Sequence, residues 1–372
     1  MVKLTCRKDL KVYCKFNLIK IEDFNEPVEI AAGADCNEMF YGCKSFNQPV
    51  AIPNSVKICE RMFYDCESFN QSIFIPNSVT NCNEMFEGCI SFNQSINIPN
   101  SVTDCNRMFR CCYTFNQPVF IPDSVTNCGC MFYDCKSFNQ PIFIPNSVTN
   151  CFEMFYGCES LNQPITISNG VVVCKEMFEG CRSFNQPVTI PDSVRFCNFM
   201  FKNCKSFNQP VKISDGAKYC ESMFDGCISF NQPVIIPNSV EICKEMFYGC
   251  KSFNQPVVMS NNVTDCISMF SNCESFNQPV TIPDGVKGCF YMFSNCKSFN
   301  QPVKIPDGVK DCECMFKGCK SLNQPITIPN SVKYNDDMFY GCESLKHENV
   351  NRYKPTLDES CSLTDYNETS LF

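Results

Sequence analysis

The sequence has no tryptophan, and His347 is the single histidine among its 372 residues. A nucleophilic thiol or hydroxyl needs an activating base, and the sequence places no Ser, Cys or carboxylate at a recognisable catalytic spacing from His347. A glycine-rich phosphate-binding loop is also missing. We therefore expect that the protein is not an enzyme and that it has no cofactor.

Clusters of positive charge and long apolar runs are missing too. Lys and Arg total 31 against 39 Asp and Glu, which gives a net charge of −8 with the signs interspersed. A nucleic-acid or anionic-membrane partner would require a basic stripe. The N-terminal residues 1–20 carry no apolar core of a secretory signal, and no run is long enough to span a bilayer. We expect no nucleic-acid partner, no membrane insertion and no export.

One short passage recurs along nearly the whole chain. Residues 46–66 read FNQPVAIPNSVKICERMFYDC, and the Asn of the FN pair falls at Asn25, at Asn47 and then every 23 residues to Asn323. A period of about 20 to 29 residues is typical of leucine-rich repeats, in which each repeat buries its apolar face against its neighbours. The repetition therefore predicts a stack of similar coils.

The first part of each repeat has the pattern of a short strand. Val50 and Ile52 alternate with Ala51, which places Val50 and Ile52 on one face of a strand and Ala51 on the other. Pro53 and the residues after it suit a turn. We predict one short parallel strand and one turn in each repeat.

The second part of each repeat predicts a short helix. Cys59, Met62, Phe63 and Cys66 are spaced i, i+3, i+4 and i+7, which defines one buried helical face and makes these four the structural core. The residue before the second cysteine is Gly, Asn or Asp in thirteen of fourteen repeats. These residue types tolerate the left-handed conformation, so we predict that the helix ends there.

Together these patterns predict an α/β-type repeat solenoid. It is a leucine-rich-repeat rod or horseshoe of about 14 coils of 23 residues, each with a short parallel strand, a turn and a short helix. We assign residues 1–23 to an N-terminal cap, 24–345 to the solenoid, and 346–372 to a polar, loosely ordered C-terminal tail.

The repeat resembles the BspA-like, or Treponema-type, leucine-rich repeat and the related repeats of mycoplasma-type surface lipoproteins. The shared features are the repeat length, the turn Pro, the Phe of the MF pair and the terminal Cys. In this chain the central aliphatic position is Cys in thirteen repeats and Asn335 in the last. The resemblance implies a solenoid that binds host proteins or cells.

The 33 cysteines follow the repeat. Free cysteine is among the most buried residue types, so we predict reduced, buried thiols and favour a reducing, cytoplasm-like compartment, with a virion or cell-surface location as alternatives. Disulfide bridges between cysteines of neighbouring repeats are an alternative that the sequence does not exclude. Cys128/Cys130 and Cys312/Cys314 have the wrong spacing for zinc, and we predict no metal site.

Two polar columns formed by the Asn and Gln of the FNQ triplets admit two interpretations. They could form a binding strip, or their amides could hydrogen-bond from repeat to repeat as a ladder. We favour the ladder. A further column at the end of each predicted helix, which includes Tyr41 and Tyr64, is a second candidate for binding, although a solvated surface is the simpler interpretation.

The outward position of the strand varies from repeat to repeat, and specificity could reside there. Three phenylalanines and two aliphatic residues at this position would be exposed on the concave sheet, which favours an interaction surface, although strand propensity explains them equally well. The candidate ligand-binding residues are Phe74, Phe120, Phe143, Thr166, Thr189, Ile235 and Val258. We predict a protein-binding or adhesion scaffold with a protein partner. The alternative is a structural protein whose rods self-associate, for example in a virion.

Overall fold

The computed structural model describes residues 21–352. The chain divides into two compact units, one ending at Val194 and the other beginning at Arg195. The first unit contains strands β1 (Ile142–Ile144) and β2 (Ile165–Ile167). The second contains β3 (Val234–Ile235), β4 (Val257–Val258), β5 (Ile326–Ile328) and β6 (Val350–Arg352). Two short 3-10 helices span Ile21–Asp23 and His347–Asn349.

The strands pair in parallel, repeat against repeat. Ile142 lies opposite Ile165, and Ile144 lies opposite Ile167, so each strand meets the same position of the next repeat. Both β1 and β2 alternate buried, exposed and buried residues. This is the period of two that the sequence predicts. The first and third residues of each strand face the core, and the middle residue faces outward.

A second set of parallel bridges lies after the turn. In the first unit it connects Ile58 to Asn81 and continues through successive repeats to Val173. In the second unit, separate bridges connect Phe196 to Tyr219 and Asp311 to Tyr334. Within each unit, these bridges add a second line of contact between neighbouring repeats beside the paired strands.

The predicted helix in each repeat is wrong. Between Cys59 and Cys66 the chain forms consecutive turns, in which Met62 N–H donates to the Cys59 carbonyl (3.2 Å) and Cys66 N–H donates to the Phe63 carbonyl (3.0 Å). The amide of Phe63 instead donates to the carbonyl of Met85 in the next repeat at 2.9 Å. A helix would use its interior amides within the coil, whereas these turns leave alternate amides for the neighbouring repeat.

The predicted left-handed residue before the second cysteine is confirmed in all fourteen repeats, with φ between 55° and 76°. A second left-handed residue precedes the methionine, with φ between 50° and 59°, and was not predicted. Glycine never occupies this second position. Its members are Glu38, Arg61, Glu84, Arg107, Cys130, Glu153, Glu176, Phe199, Ser222, Glu245, Ser268, Tyr291, Cys314 and Asp337.

Two columns of phenylalanine rings fill the core of the first unit. Phe63 stacks on Phe86 of the next repeat with ring centroids 5.6 Å apart. Within its own repeat, Phe63 stacks on Phe69 at 4.2 Å. Phe63 and Phe69 are fully buried. Stacked rings of this size supply much of the apolar area that stabilises the stack.

The cysteines are part of this core. Every cysteine in residues 21–352 is buried apart from the half-buried Cys111 and Cys342. The second cysteine of a repeat also hydrogen-bonds the preceding repeat, as when the Cys89 thiol donates to the Phe63 carbonyl at 3.0 Å. Burial of the thiols agrees with the sequence analysis, and their oxidation state in the cell stays a prediction.

The predicted amide ladder is confirmed. The Asn47 side-chain oxygen accepts the backbone N–H of Asn70 at 2.9 Å. The Gln71 side-chain amide donates to the same Asn47 oxygen at 3.1 Å. These bonds recur in later repeats of the first unit, and the same pattern occurs within the second unit. The Asn and Gln side chains of the FNQ triplets therefore form hydrogen bonds within the stack.

The end of the repeat region differs from the predicted boundary. Strand β6 pairs in parallel with β5, Val350 lying opposite Ile326. The Asn349 side-chain amide donates to the Asn323 side-chain oxygen at 2.9 Å, as a glutamine does in the other repeats. Residues 346–352 thus continue the stack. The rest of the predicted tail and residues 1–20 of the predicted cap lie outside the described residues.

Replacing Ser268 by glycine distinguishes the turns from a helix. Ser268 has a φ of 53°, where a side chain costs about 1 to 2 kcal/mol that glycine avoids. Since glycine also makes the unfolded chain more flexible, we expect Ser268→Gly to raise the free energy of unfolding by up to about 1 kcal/mol. A helix interior would lose about 0.5 kcal/mol by the same change.

The control for Ser268→Gly is the reverse change at Gly249, where φ is 68° and an added Cβ would meet nothing closer than 3.8 Å. Gly249→Ala should lower the free energy of unfolding by about 1 kcal/mol. Urea unfolding of both variants measures the two effects. Destabilisation by Ser268→Gly would contradict the assigned turn.

Shortening the chain tests the role of β6. A chain that ends at Leu345 loses β6 and the Asn349 bond to Asn323, which leaves the outer edge of β5 unpaired. We expect its melting temperature to fall by several degrees relative to a chain that ends at Arg352. Circular dichroism measures both melting temperatures. Equal values would show that β6 adds nothing to stability.

Candidate binding surface

The outward strand position of the first unit carries exposed aromatic rings. Phe74 is 68%, Phe120 69% and Phe143 56% exposed. Phe143 lies opposite Thr166 in the paired strands, so neighbouring repeats present these side chains side by side. Thr166 and Thr189 are exposed as well. The rings lie on a strand face that the backbone pairing holds in register.

An open groove of about 540 Å³ runs beside Phe120 and Phe143. Its walls come from successive repeats, and every lining residue is uncharged. The lining residues are Ile96, Pro118, Val119, Phe120, Pro141, Ile142, Phe143, Pro164 and Thr166. The prolines were not predicted to be part of a site, because the sequence analysis considered only the column that contains the phenylalanines.

The second unit has its own outward column, with a different character. Ile235 is 71% and Val258 61% exposed, and they lie opposite each other in β3 and β4. Lys212 and Lys304 occupy the same position in other repeats. A groove of about 360 Å³ in this unit is lined in part by Lys304 and Asp307. This groove therefore has charged lining residues, whereas the groove of the first unit has none.

The four residues assigned to the core lie away from these surfaces. Cys59, Met62, Phe63 and Cys66 are fully buried. Burial raises the pKa of the Cys82 thiol to about 12. Such a thiol stays protonated at neutral pH and is a poor nucleophile. No three metal-binding side chains within residues 21–352 are grouped to hold an ion.

The tyrosines of the second candidate column stack on one another. Tyr41 and Tyr64 have ring centroids 4.6 Å apart. Tyr133 and Tyr156 are 4.5 Å apart, and the Arg110 guanidinium lies 4.7 Å from the Tyr133 ring centroid. Desolvation, followed by the nearby Glu87 carboxylate, raises the pKa of Tyr64 to about 12. These rings are engaged within the stack more than the outward phenylalanines are.

In the first repeats, the side chains at the second left-handed position form a row of alternating charges. Arg61 Nε lies 2.6 Å from Glu84 Oε2, and Arg107 Nη1 lies 3.2 Å from Glu84 Oε1. The side chain of Glu84 is 6% exposed. Burial raises the pKa of Glu84, but hydrogen bonds and charge from Arg61 and then Arg107 outweigh it, so this pKa lies below its ordinary value. This row is internally paired.

Comparison with protein families identifies the repeat. The sequence matches the family described as "Mycoplasma protein of unknown function, DUF285" in overlapping segments that begin with residues 15–98 and end with 260–353. The chain belongs to the DUF285 family. None of the curated proteins with which the sequence was compared matches it.

Solved structures show the fold of this DUF285 chain. A leucine-rich repeat protein from Bacteroides ovatus is 21% identical with a TM-score of 0.64, over 90% of this chain and 85% of that one. A leucine-rich cell surface protein from Faecalibacterium prausnitzii is 20% identical with a TM-score of 0.48, over 81% and 84%. The T. pallidum leucine-rich repeat protein is 21% identical with a TM-score of 0.34, over 56% and 79%. The predicted BspA-like leucine-rich repeat is confirmed.

Within residues 21–352 of the DUF285 chain, no helix combines the length and apolar character that crossing a bilayer requires. His347 lies in the 3-10 helix before β6 and is exposed. The single histidine is therefore a surface residue of the second unit.

Glu84 gives the DUF285 chain a pH-dependent contribution to stability. Its pKa is lowered in the folded protein, so the stabilisation is complete above the unfolded-state pKa of about 4.3 and is lost as the pH falls through the folded-state pKa. We expect Glu84→Gln to lower the free energy of unfolding by about 1.5 to 3 kcal/mol at pH 7. The difference from the parent should shrink below about pH 4.

The control for Glu84→Gln is Glu67→Gln, because Glu67 pairs with Lys44 at 2.9 Å where both side chains are more than 40% exposed. An exposed pair contributes little, so this variant should stay within about 0.5 kcal/mol of the parent. Urea unfolding at pH 7 and pH 3.5 measures both. Equal losses in the two variants would contradict the role assigned to Glu84.

Proposed function

We propose that this chain is a non-catalytic protein-binding scaffold whose binding surface is the outward column of the first unit. The observation that carries the proposal is the exposure of Phe74, Phe120 and Phe143, each more than half accessible on a strand face. Exposed apolar patches on soluble proteins often mark interaction sites. The adhesion implied by the BspA-like resemblance would be one form of such binding.

The strand face is well suited to binding because its backbone is already ordered. Parallel pairing holds Phe143 beside Thr166, so a partner would not have to order a flexible loop before it could bind the rings. Burial of one phenylalanine side chain contributes about 1.5 to 3 kcal/mol. Three rings therefore offer a substantial part of the free energy that a specific complex needs.

Strand propensity alone is a weaker explanation of these rings. Threonine also favours strands, and the same column uses it at Thr166 and Thr189. Threonine would satisfy the strand without exposing an aromatic ring to water. The absence of charge in the groove beside Phe120 and Phe143 also supports contact with a partner, because no ion would have to be desolvated.

The proposal that the scaffold is non-catalytic rests on the burial of the repeated thiols, with the raised pKa of Cys82, and on the exposed position of His347. Protein binding, unlike catalysis, requires none of these groups. Self-association remains the alternative use of the same apolar face, and it predicts a dependence of the oligomeric state on concentration that binding of a different protein does not.

A triple substitution tests the proposed surface. Changing Phe74, Phe120 and Phe143 to Thr keeps the strand preference and removes the rings, so the melting temperature should stay within a few degrees of the parent. A random peptide display library panned on the parent should yield binders, and at least a tenfold loss of their affinity is expected for the triple variant.

Ile58→Asn is the matched control, because Ile58 is a 44% exposed apolar residue of the same unit outside the outward column, and the next repeat has Asn81 there. It should leave peptide affinity unchanged. Peptides that bind the parent and the triple variant equally would overturn the proposed surface, as would a library that yields no binder. Unfolding of the triple variant would show that the rings belong to the core.

A further inference from the structure

The groove of the first unit has two parallel apolar ridges. Pro118 and Phe120 are both exposed with buried Val119 between them, and Pro141 and Phe143 repeat the arrangement around Ile142. Residues two apart on one strand face are about 6.6 Å from each other. A proline ridge and a phenylalanine ridge therefore run side by side along the stack, and the channel is the part of the open groove that lies along them.

The width of the channel limits what can lie in it. An α-helix with its side chains is about 10 to 12 Å across, so it would rest on top of two ridges whose Cα atoms are about 6.6 Å apart and contact little between them. A single extended segment is narrower and can lie along the channel. The occupant is therefore best sought among extended backbone conformations.

The spacing of the repeats distinguishes between extended conformations. Parallel strands lie about 4.8 Å apart, so two repeats advance about 9.6 Å. A polyproline II helix has three residues per turn and advances about 9.3 Å, so that every third residue would meet every second repeat. In a β-strand, side chains on one face recur about every 6.7 Å and do not keep step with the repeats.

Polar groups at both ends of the channel complete the fit. Along the outward column the order is Asn97, Phe120, Phe143 and Thr166. Asn97 and Thr166 are exposed, and neither side chain hydrogen-bonds another residue within the described part of the chain. A polyproline II segment has no internal hydrogen bonds and keeps its carbonyls free. The Asn97 amide and the Thr166 hydroxyl are placed to donate to such carbonyls.

We propose that the channel between Pro118, Pro141 and Pro164 on one side and Phe120, Phe143 and Thr166 on the other binds an uncharged, proline-rich segment of a partner protein in the polyproline II conformation. This proposal rests on the proposed function and names the partner's chemistry. Proline-rich segments suit aromatic-lined grooves because they lose little conformational freedom on binding. The uncharged lining selects against a charged segment, whereas the second unit's groove contains Lys304 and Asp307.

The test uses the full chain and three labelled decapeptides. The probes are decaproline, a flexible Gly-Ser decamer and an alternating Val-Thr decamer, each titrated by fluorescence anisotropy. The parent should bind decaproline at least tenfold more tightly than either other peptide. Phe120→Thr/Phe143→Thr should weaken decaproline binding at least tenfold, Asn97→Ala should weaken it severalfold, and Ile58→Asn should leave it unchanged.

The outcomes separate this proposal from the proposed function. If the peptide library yields binders that depend on Phe120 and Phe143 but decaproline does not bind, the polyproline proposal fails and protein binding stands. Preference for the Val-Thr decamer also overturns it, in favour of a strand partner. If no peptide binds and sedimentation shows a dimer that Phe120→Thr/Phe143→Thr abolishes, both proposals fail and the occupant is a second copy of this chain.

Discussion

Each unit of the structure depends on hydrogen bonds that join neighbouring repeats through alternate amides of the turn segment. Phe63 N–H bonds the Met85 carbonyl, and Arg61 and Asp65 N–H bond the carbonyls of Asn83 and Glu87. Every such bond fixes the offset between repeats at the length of the sequence period. Equivalent side chains then lie directly over one another, so each position in the repeat becomes a column whose members must tolerate their own kind.

This constraint explains the composition of the columns. Phenylalanine rings stack favourably, and amides both donate and accept, so Phe63 over Phe86 and Asn47 beside Asn70 are stable arrangements. Like charges would repel, and the row alternates its signs from Glu38 through Arg61 and Glu84 to Arg107. The outward strand position has no neighbour to satisfy across the core, which leaves it able to vary and to carry Phe120 and Phe143.

The sequence predicts those structural features that require a particular residue type or spacing in each repeat. Alternation places Val50 and Ile52 inside, and the Gly, Asn and Asp residues mark one left-handed position, as the structure shows. The helix was wrongly predicted because i, i+3, i+4 spacing also arises in consecutive turns, and the second left-handed position gives no warning when it is Arg61 or Glu84. Strand β6 was missed because its sequence is polar and lies 24 residues from β5 rather than 23. The exposure of the outward rings followed from alternation, and the same alternation exposes the prolines two positions earlier, which the sequence analysis did not consider because it examined a single column.

Because each column holds the same kinds of residue, the chain can gain or lose a whole repeat while the contacts of its interior stay the same. Removal of residues 92–114, one full period, would set Phe69 against Phe115 and Asn70 against Asn116, so the interior would keep the same kinds of contact. On the outside, Phe74 would become the direct neighbour of Phe120, and the aromatic row would lengthen from two adjacent rings to three. Recombination between repeats can thus remodel the exposed surface in whole steps while the core remains the same.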